Sequence, residues 1–223
     1  MSLPKMPTAG APLDTYTTLW DWRRRVIALY AGVRAAPDSE KAWAEWRRTR
    51  DALFLDHPQT PFDAERRRPL AYFPYDKAFR FEVGLSPAPD AVPETMEVGR
   101  DGVVTLVPFA RTKGLAGKLG AELTLYWIGG YGGGVFLPFA DATSGGATYA
   151  GGRYLLDTIK GADLGHGKGG LVLDFNFAYN PSCSYSDRWG CPLAPAGNRL
   201  PAAVTAGERI GEDARRGAGG ARA

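Results

Sequence analysis

Histidine and cysteine are scarce in this sequence, with two of each in 223 residues. Two histidines support no Ser-His-Asp arrangement, and no Gly-x-Ser-x-Gly elbow is present. Two cysteines do not make a disulfide-dense secreted scaffold. No apolar run approaches the roughly 20 residues of a membrane span. Charge of one sign is lacking too: 27 Lys and Arg face 24 Asp and Glu, for a net +3. The most basic stretches, Arg23–Arg25 and Arg66–Arg68, read as solvated helix face or loop rather than a nucleic-acid tract. These absences argue against membrane and nucleic acid as partners. The segment Arg23–Ala36 imitates a signal peptide, but it starts too late and Arg34 interrupts it. With no targeting segment, cytoplasm is the expected compartment.

What is present is ordinary in bulk and rich in aromatics. Hydrophobic residues are 44%, charged residues 23% and aromatics 12%, with 6 Trp. The length suits one good-sized domain. Residues 1–13 are Pro- and Ala-rich and read as a loose N-terminus. Asp14 or Thr15 can cap a first helix, in which Leu19, Trp22, Val26, Leu29 and Val33 form one apolar stripe. Ala36-Pro37-Asp38-Ser39 breaks and recaps it. A second helix, about Glu40 to Leu55, turns Trp43, Trp46, Leu53 and Phe54 to the core. His57-Pro58 ends it, because a residue before proline disfavours helix.

From Leu70 the pattern is β. Strands are expected at Phe79–Leu85, Glu94–Val98, Val103–Val107, Glu122–Ile128, Val135–Phe139, Gly152–Leu156 and Leu171–Phe177. Asp101-Gly102 marks a hairpin. In Glu122–Ile128, Leu123, Leu125 and Trp127 share one face. Glu94, Glu97 and Glu122 are expected to face water. The predicted fold is α+β: an N-terminal helical pair packed on an antiparallel barrel-like or strongly curled sheet. It forms a single domain over 14–210, helical at about 14–56 and β-rich at about 70–208, before a Gly-rich disordered tail at 211–223.

The chemistry concentrates in Leu171–Pro201, LVLDFNFAYNPSCSYSDRWGCPLAPAGNRLP. A strand over Leu171–Phe177 places Asp174 and Asn176 side by side on one face. Both types are depleted in strands, which favours a specific role. Asn180-Pro181 turns the chain. Cys183 and Cys191 bracket Tyr185, Asp187, Arg188 and Trp189. Buried thiols packing the loop and a Cys183–Cys191 disulfide are both open readings; the spacing is not that of a zinc knuckle, and only His57 and His166 could complete a site, so no metal is expected. A nucleophilic Cys183 would need a base that the neighbouring sequence does not supply. In Asp141–Tyr154, DATSGGATYAGGRY, the Walker ending is missing. There Arg153 offers a bidentate contact to an anion, with an internal salt bridge to Asp141 or Asp174 as the competing assignment.

FADATSGGATYAGGRYL and LDFNFAYNPSCSYSDRWGCPLAPAGNRLP together resemble the bacterial and archaeal domain-of-unknown-function family number 1684. WRRTRDALFLDHPQTPF and YFPYD are similar to the same family's N-terminal hallmark. The resemblance spans about Trp43 to Glu208. Its pattern falls on Thr148, Tyr149, Gly152, Arg153, Tyr154, Asp174, Asn176, Asn180, Pro181, Cys183, Tyr185, Cys191, Pro192 and Asn198. Members of that family often read Pro-Pro-Glu before the last Asn, where this chain has Ala196-Gly197. The family implies no activity and no cofactor.

The resulting expectation is a protein binding a small anionic or polar molecule where the DFN strand, the GRY strand and the cysteine loop meet. Arg153, Tyr154, Asp174, Asn176 and Tyr185 would contact the ligand. Asn180, Pro181, Cys183, Cys191, Pro192 and Asn198 would frame the site. A structural or interaction module, whose Asn-Pro-Cys and Cys-Pro elements only lock a loop, is the alternative. A thiol-dependent enzyme is a third reading. A homodimer is left open as the oligomeric state.

Overall fold

The computed structural model describes residues 10–88, 92–99, 102–130 and 132–211. The tail expected to be disordered lies, from residue 212 on, outside these residues, as do residues 1–9. Two long helices come first, α1 (Leu13–Ala35) and α2 (Ser39–Asp56). In α1, Leu19, Trp22, Val26, Leu29 and Tyr30 are buried, so the stripe at three- and four-residue spacing is what the helix packs inward. The helix starts one residue before the expected cap, with Pro12 at the N-cap position and no side-chain cap. In α2 the Asp38 carboxylate accepts from Glu40 N at 3.0 Å and Lys41 N at 3.1 Å. His57, extended at ψ 137 ahead of Pro58, ends it.

The strands are β1 (Ala71–Tyr72), β2 (Arg80–Pro87), β3 (Glu94–Glu97), β4 (Val103–Lys113), β5 (Thr124–Ile128), β6 (Gly134–Phe139), β7 (Arg153–Asp157), β8 (His166–Gly167), β9 (Gly170–Asp174) and β10 (Glu208–Arg209). Eight of them form one strongly curled antiparallel sheet in the order β7-β6-β5-β4-β2-β9-β8, with β3 also paired to β4. β1 and β10 pair separately, setting Tyr72 opposite Glu208. A short helix, α3 (Ala116–Leu119), follows β4.

Both faces of β6, β7 and β9 are covered. Phe136, Tyr154 and Val172 belong to the core shared with the helices. Their chain neighbours Leu137, Leu155 and Leu173 belong to a second core inside the curl, with Phe139, Phe175 and Val204. Alternate residues thus enter different cores, which is why these strands read as continuous apolar runs.

Two strand expectations change. Trp127 is 46% exposed whereas Tyr126 is buried, reversing the alternation expected there. Leu125 enters the second core and Tyr126 the core shared with the helices, so both faces of β5 are covered there, and the bulge in this pairing falls on β4 at Phe109. Glu122, expected to face water, is half-buried and fully engaged. Its carboxylate accepts from Thr112 Oγ1 at 2.5 Å and from Gly114, Leu115 and Ala116 N at 2.9–3.1 Å, and so holds the turn into α3.

Candidate functional site

The last strand of the expected DFN run stops early. β9 ends at Asp174, and Phe175–Phe177 forms a single 3-10 turn. Asp174 caps that turn. Its Oδ1 accepts from Asn176 N at 3.0 Å and from Asn176 Nδ2 at 2.7 Å. Asp174 and Asn176 are therefore bonded to each other instead of standing in parallel on a strand. Asn176 is in turn fixed by Asp76, accepting from its N at 2.9 Å and donating to its O at 2.8 Å. This double clasp commits the Asn176 amide to protein partners.

Asp174 Oδ2 has no hydrogen-bond partner, and the residue is 1% exposed. It lines a crevice of about 120 Å³ between the β2–β9 pair and the turn joining the helices. Arg80 lies directly opposite Asp174 in the strand register. Arg34, Arg80, His166 and Ser39 supply the other polar lining, with Leu164, Val172 and Phe177 as apolar wall. Arg80 is partly exposed and reaches Glu82 at 3.3 Å, while Arg34 donates one bond to Asp163 O at 2.7 Å. Burial pushes the Asp174 carboxyl up to about 6, against the hydrogen bonds from Asn176. A desolvated acid in a cleft rimmed by cations is the arrangement in which functional carboxyls recur.

Arg153 is elsewhere. It opens β7 opposite Phe139 and its side chain is fully buried. Nη2 donates to Asp141 Oδ2 and Val204 O, both at 2.9 Å. Nη1 donates to Glu208 O at 3.2 Å and to Ala206 O. The guanidinium also lies over Phe139 at 5.1 Å. Of the two partners weighed from sequence, Asp141 is the one it meets. Gly152 precedes it at φ +88, where a Cβ would lie 2.5 Å from Phe139 O. That approach needs glycine.

Tyr154 and Tyr185 fill the space expected for a ligand. The Tyr154 ring packs edge-on to Phe136 at 4.7 Å and Tyr179 at 5.8 Å, and its hydroxyl donates to Pro192 O at 2.6 Å. Tyr185 packs on Phe54 and Phe62 at 5.1 and 5.0 Å and donates to Glu208 Oε1. Glu208 was not singled out by sequence, nor was Arg50. Arg50 Nη2 bonds Glu208 Oε2 at 2.6 Å with both side chains buried. Asn180 adds its N at 3.2 Å and Nδ2 at 3.1 Å to the same carboxylate. Arg50 lies over Trp46 and Phe54 at 4.8 and 5.0 Å. The signal was available: 46, 50 and 54 fall on one helix face, so a charge between two core aromatics needs a buried partner.

The frame residues hold the C-terminal loop. Asn198 Nδ2 donates to Thr124 O and Pro138 O, and its Oδ1 accepts from Thr124 N, all at 2.8 Å. Pro181 precedes the 3-10 turn Ser182–Ser184. Cys183 N donates to Cys191 Sγ at 3.3 Å, and no disulfide joins the two cysteines. The hydrogen bond to Cys191, together with burial, holds the Cys183 thiol above its ordinary value. It therefore stays protonated, the opposite of an activated nucleophile. Between them Trp189 Nε1 and Arg188 Nη2 donate to backbone carbonyls of Pro61 and Thr60 at 2.9 and 3.1 Å. Among the described residues no group of three or more His, Cys, Asp or Glu is placed to hold a metal ion. None of their helices is long and apolar enough to cross a membrane.

A larger groove of about 780 Å³ runs between α1 and α2. Its walls are mostly alanine, glycine, valine and leucine, and its rim residues Arg25 and Glu45 already pair with Asp21 and Arg48. Lys41, Thr49, Asp56 and His57 also line it, with Lys41 and His57 already paired to Asp38 and Asp21; the smaller crevice, with a buried carboxylate that has an unpartnered oxygen, is the better site.

A family model described as a protein of unknown function, DUF1684, matches residues 67–209. The chain belongs to this family. Arg80, Arg153, His166, Asp174 and Glu208 lie within the DUF1684 match, whereas Arg34, Ser39 and Arg50 precede it. The chain is also similar to the uncharacterized protein from gene locus rrnAC0354 of Haloarcula marismortui, solved by solution NMR. Identity is 31% over 89% of this DUF1684 chain and 98% of that one, with a TM-score of 0.50. No match to a curated protein was found.

Proposed function

We propose that this protein binds a small anionic or polar molecule, and that the Asp174 crevice is where it does so. One observation carries the reading. Asn176 holds one oxygen of a buried carboxylate twice, and the other oxygen has no partner. An unpaired oxygen there is costly. Asp174 lines a crevice that Arg34 and Arg80 also line, so a ligand carrying both an anionic group and a donor would find a partner for each. Relative to the sequence expectation, the cation is Arg34 or Arg80 in place of Arg153, and Asn176 positions Asp174 without meeting the ligand. The scarcity of cysteine keeps cytoplasm as the proposed setting.

The test is an amide NMR titration of the full chain with inorganic phosphate and with acetate. Shifts are expected to concentrate at Arg80, His166 and Gly167 and to weaken in Arg34→Ala. Absence of saturable shifts at those amides, with either anion, would remove the crevice as a site.

A further inference from the structure

We infer that the Asp174 crevice is shaped for a small aliphatic α-amino acid, held as its zwitterion. The inference rests on the reading of that crevice as a ligand site and names what it takes.

The lining is of three kinds. Asp174 Oδ2 is an acceptor without a partner, on a residue 1% exposed. Arg34 and Arg80 are guanidinium donors, the second directly across the strand pair from Asp174. Leu164, Val172 and Phe177 are apolar. An α-amino acid carries the complement of each on one carbon: an ammonium, a carboxylate and a short side chain.

Simpler ligands leave part of the lining unanswered. A bare anion would engage the arginines but bring like charge toward the Asp174 carboxylate. A bare amine would pair with Asp174 and leave the guanidiniums without their bidentate partner. The α2 terminus does not supply the anion contact, since Glu40 N and Lys41 N already donate to Asp38. The arginines must do so.

Size narrows the class. The crevice is small, about 120 Å³, below the range typical of drug-sized ligands. Nucleotides and sugar phosphates need the several-hundred-Å³ clefts typical of larger ligands.

The test measures binding of L-alanine, propionate and ethylamine to the full chain at neutral pH, by calorimetry and amide NMR. Alanine is expected to bind, and loss of either end to weaken binding at least tenfold. Asp174→Asn is expected to weaken alanine at least tenfold and to leave propionate unchanged or tighter. Arg80→Gln, at an exposed rim position, is expected to weaken both. Propionate binding as tightly as alanine, or Asp174→Asn binding alanine like the parent, overturns the amino-acid assignment and leaves the anion site standing. Failure of all three probes and of phosphate and acetate removes both. The three-probe comparison on the parent chain decides the matter even where Asp174→Asn loses the native spectrum.

Discussion

Two acid–arginine pairs sit on opposite faces of the same curled sheet. Asp141 and Arg153 lie toward the core inside the curl, and four Arg153 bonds run to Asp141 and to the backbone of Val204, Ala206 and Glu208. Asp174 and Arg80 lie toward the helices, on adjacent strands, and leave one carboxylate oxygen without a partner. The first pair is held by four bonds within its own chain, with Arg153 Nε alone lacking a partner, and ties the C-terminal segment to β7. The second is half complete and opens on a crevice. Burial and charge type alone do not separate structural from binding groups. The count of bonds already made does.

That contrast is broken most directly at Arg153. Replacing it with alanine leaves Asp141 charged and buried without its cation and frees three carbonyls. The expected loss is about 3–5 kcal/mol in chemical denaturation. A loss below about 1 kcal/mol would mean that the interior pair is not the lock described here.

Asp174→Asn should act in the opposite direction. The Asp174 carboxyl is raised from 3.8 to about 6 by burial, so the folded chain prefers it protonated. Stability from this group is full below about pH 4 and is lost as pH rises through about 6. The shift of roughly two units corresponds to about 3 kcal/mol at most above pH 6. The variant has no such group and is expected to be more stable than the parent at pH 7, by no more than that amount. Denaturation midpoints followed from pH 4 to pH 7 check it. Parallel profiles for variant and parent would show that Asp174 carries no burial penalty.

A smaller effect tests the loop between Cys183 and Asn198, where it meets the helix-side core. Tyr154→Phe removes the hydroxyl that bonds Pro192 O and meets Cys191 and is expected to cost about 1 kcal/mol. Faster hydrogen exchange should be confined to the loop between Cys183 and Asn198. Exchange that accelerates around Asp174 as well would mean that the two regions are not independent.

Both helices, the hairpin and the curled sheet were legible because stripes, caps and turns are local. The limits of β9 were harder. Asp and Asn two residues apart were read as strand neighbours, although their scarcity in strands also fits a capped turn, which is what Asp174 makes with Asn176 N. The partners of Arg153 were partly legible, since Asp141 lies twelve positions away. The Arg50–Glu208 pair spans 158 positions, and one sequence holds no record of such a contact. The crevice was illegible for the same reason. Arg34, Arg80 and Asp174 come from three elements, and only folding sets the two arginines beside the acid.

The smallest stability effect is the most informative about the open pair. Arg80 is partly exposed, and its ion pair with Glu82 at 3.3 Å is a surface contact. Arg80→Gln is therefore expected to change stability by no more than about 0.5 kcal/mol, while removing most of the phosphate- and acetate-induced shifts at His166 and Gly167. A guanidinium retained for structure would give the reverse: a clear loss of stability and unchanged anion shifts. The first outcome separates Arg80 from Arg153 by role, although each is an arginine facing an aspartate on the same sheet.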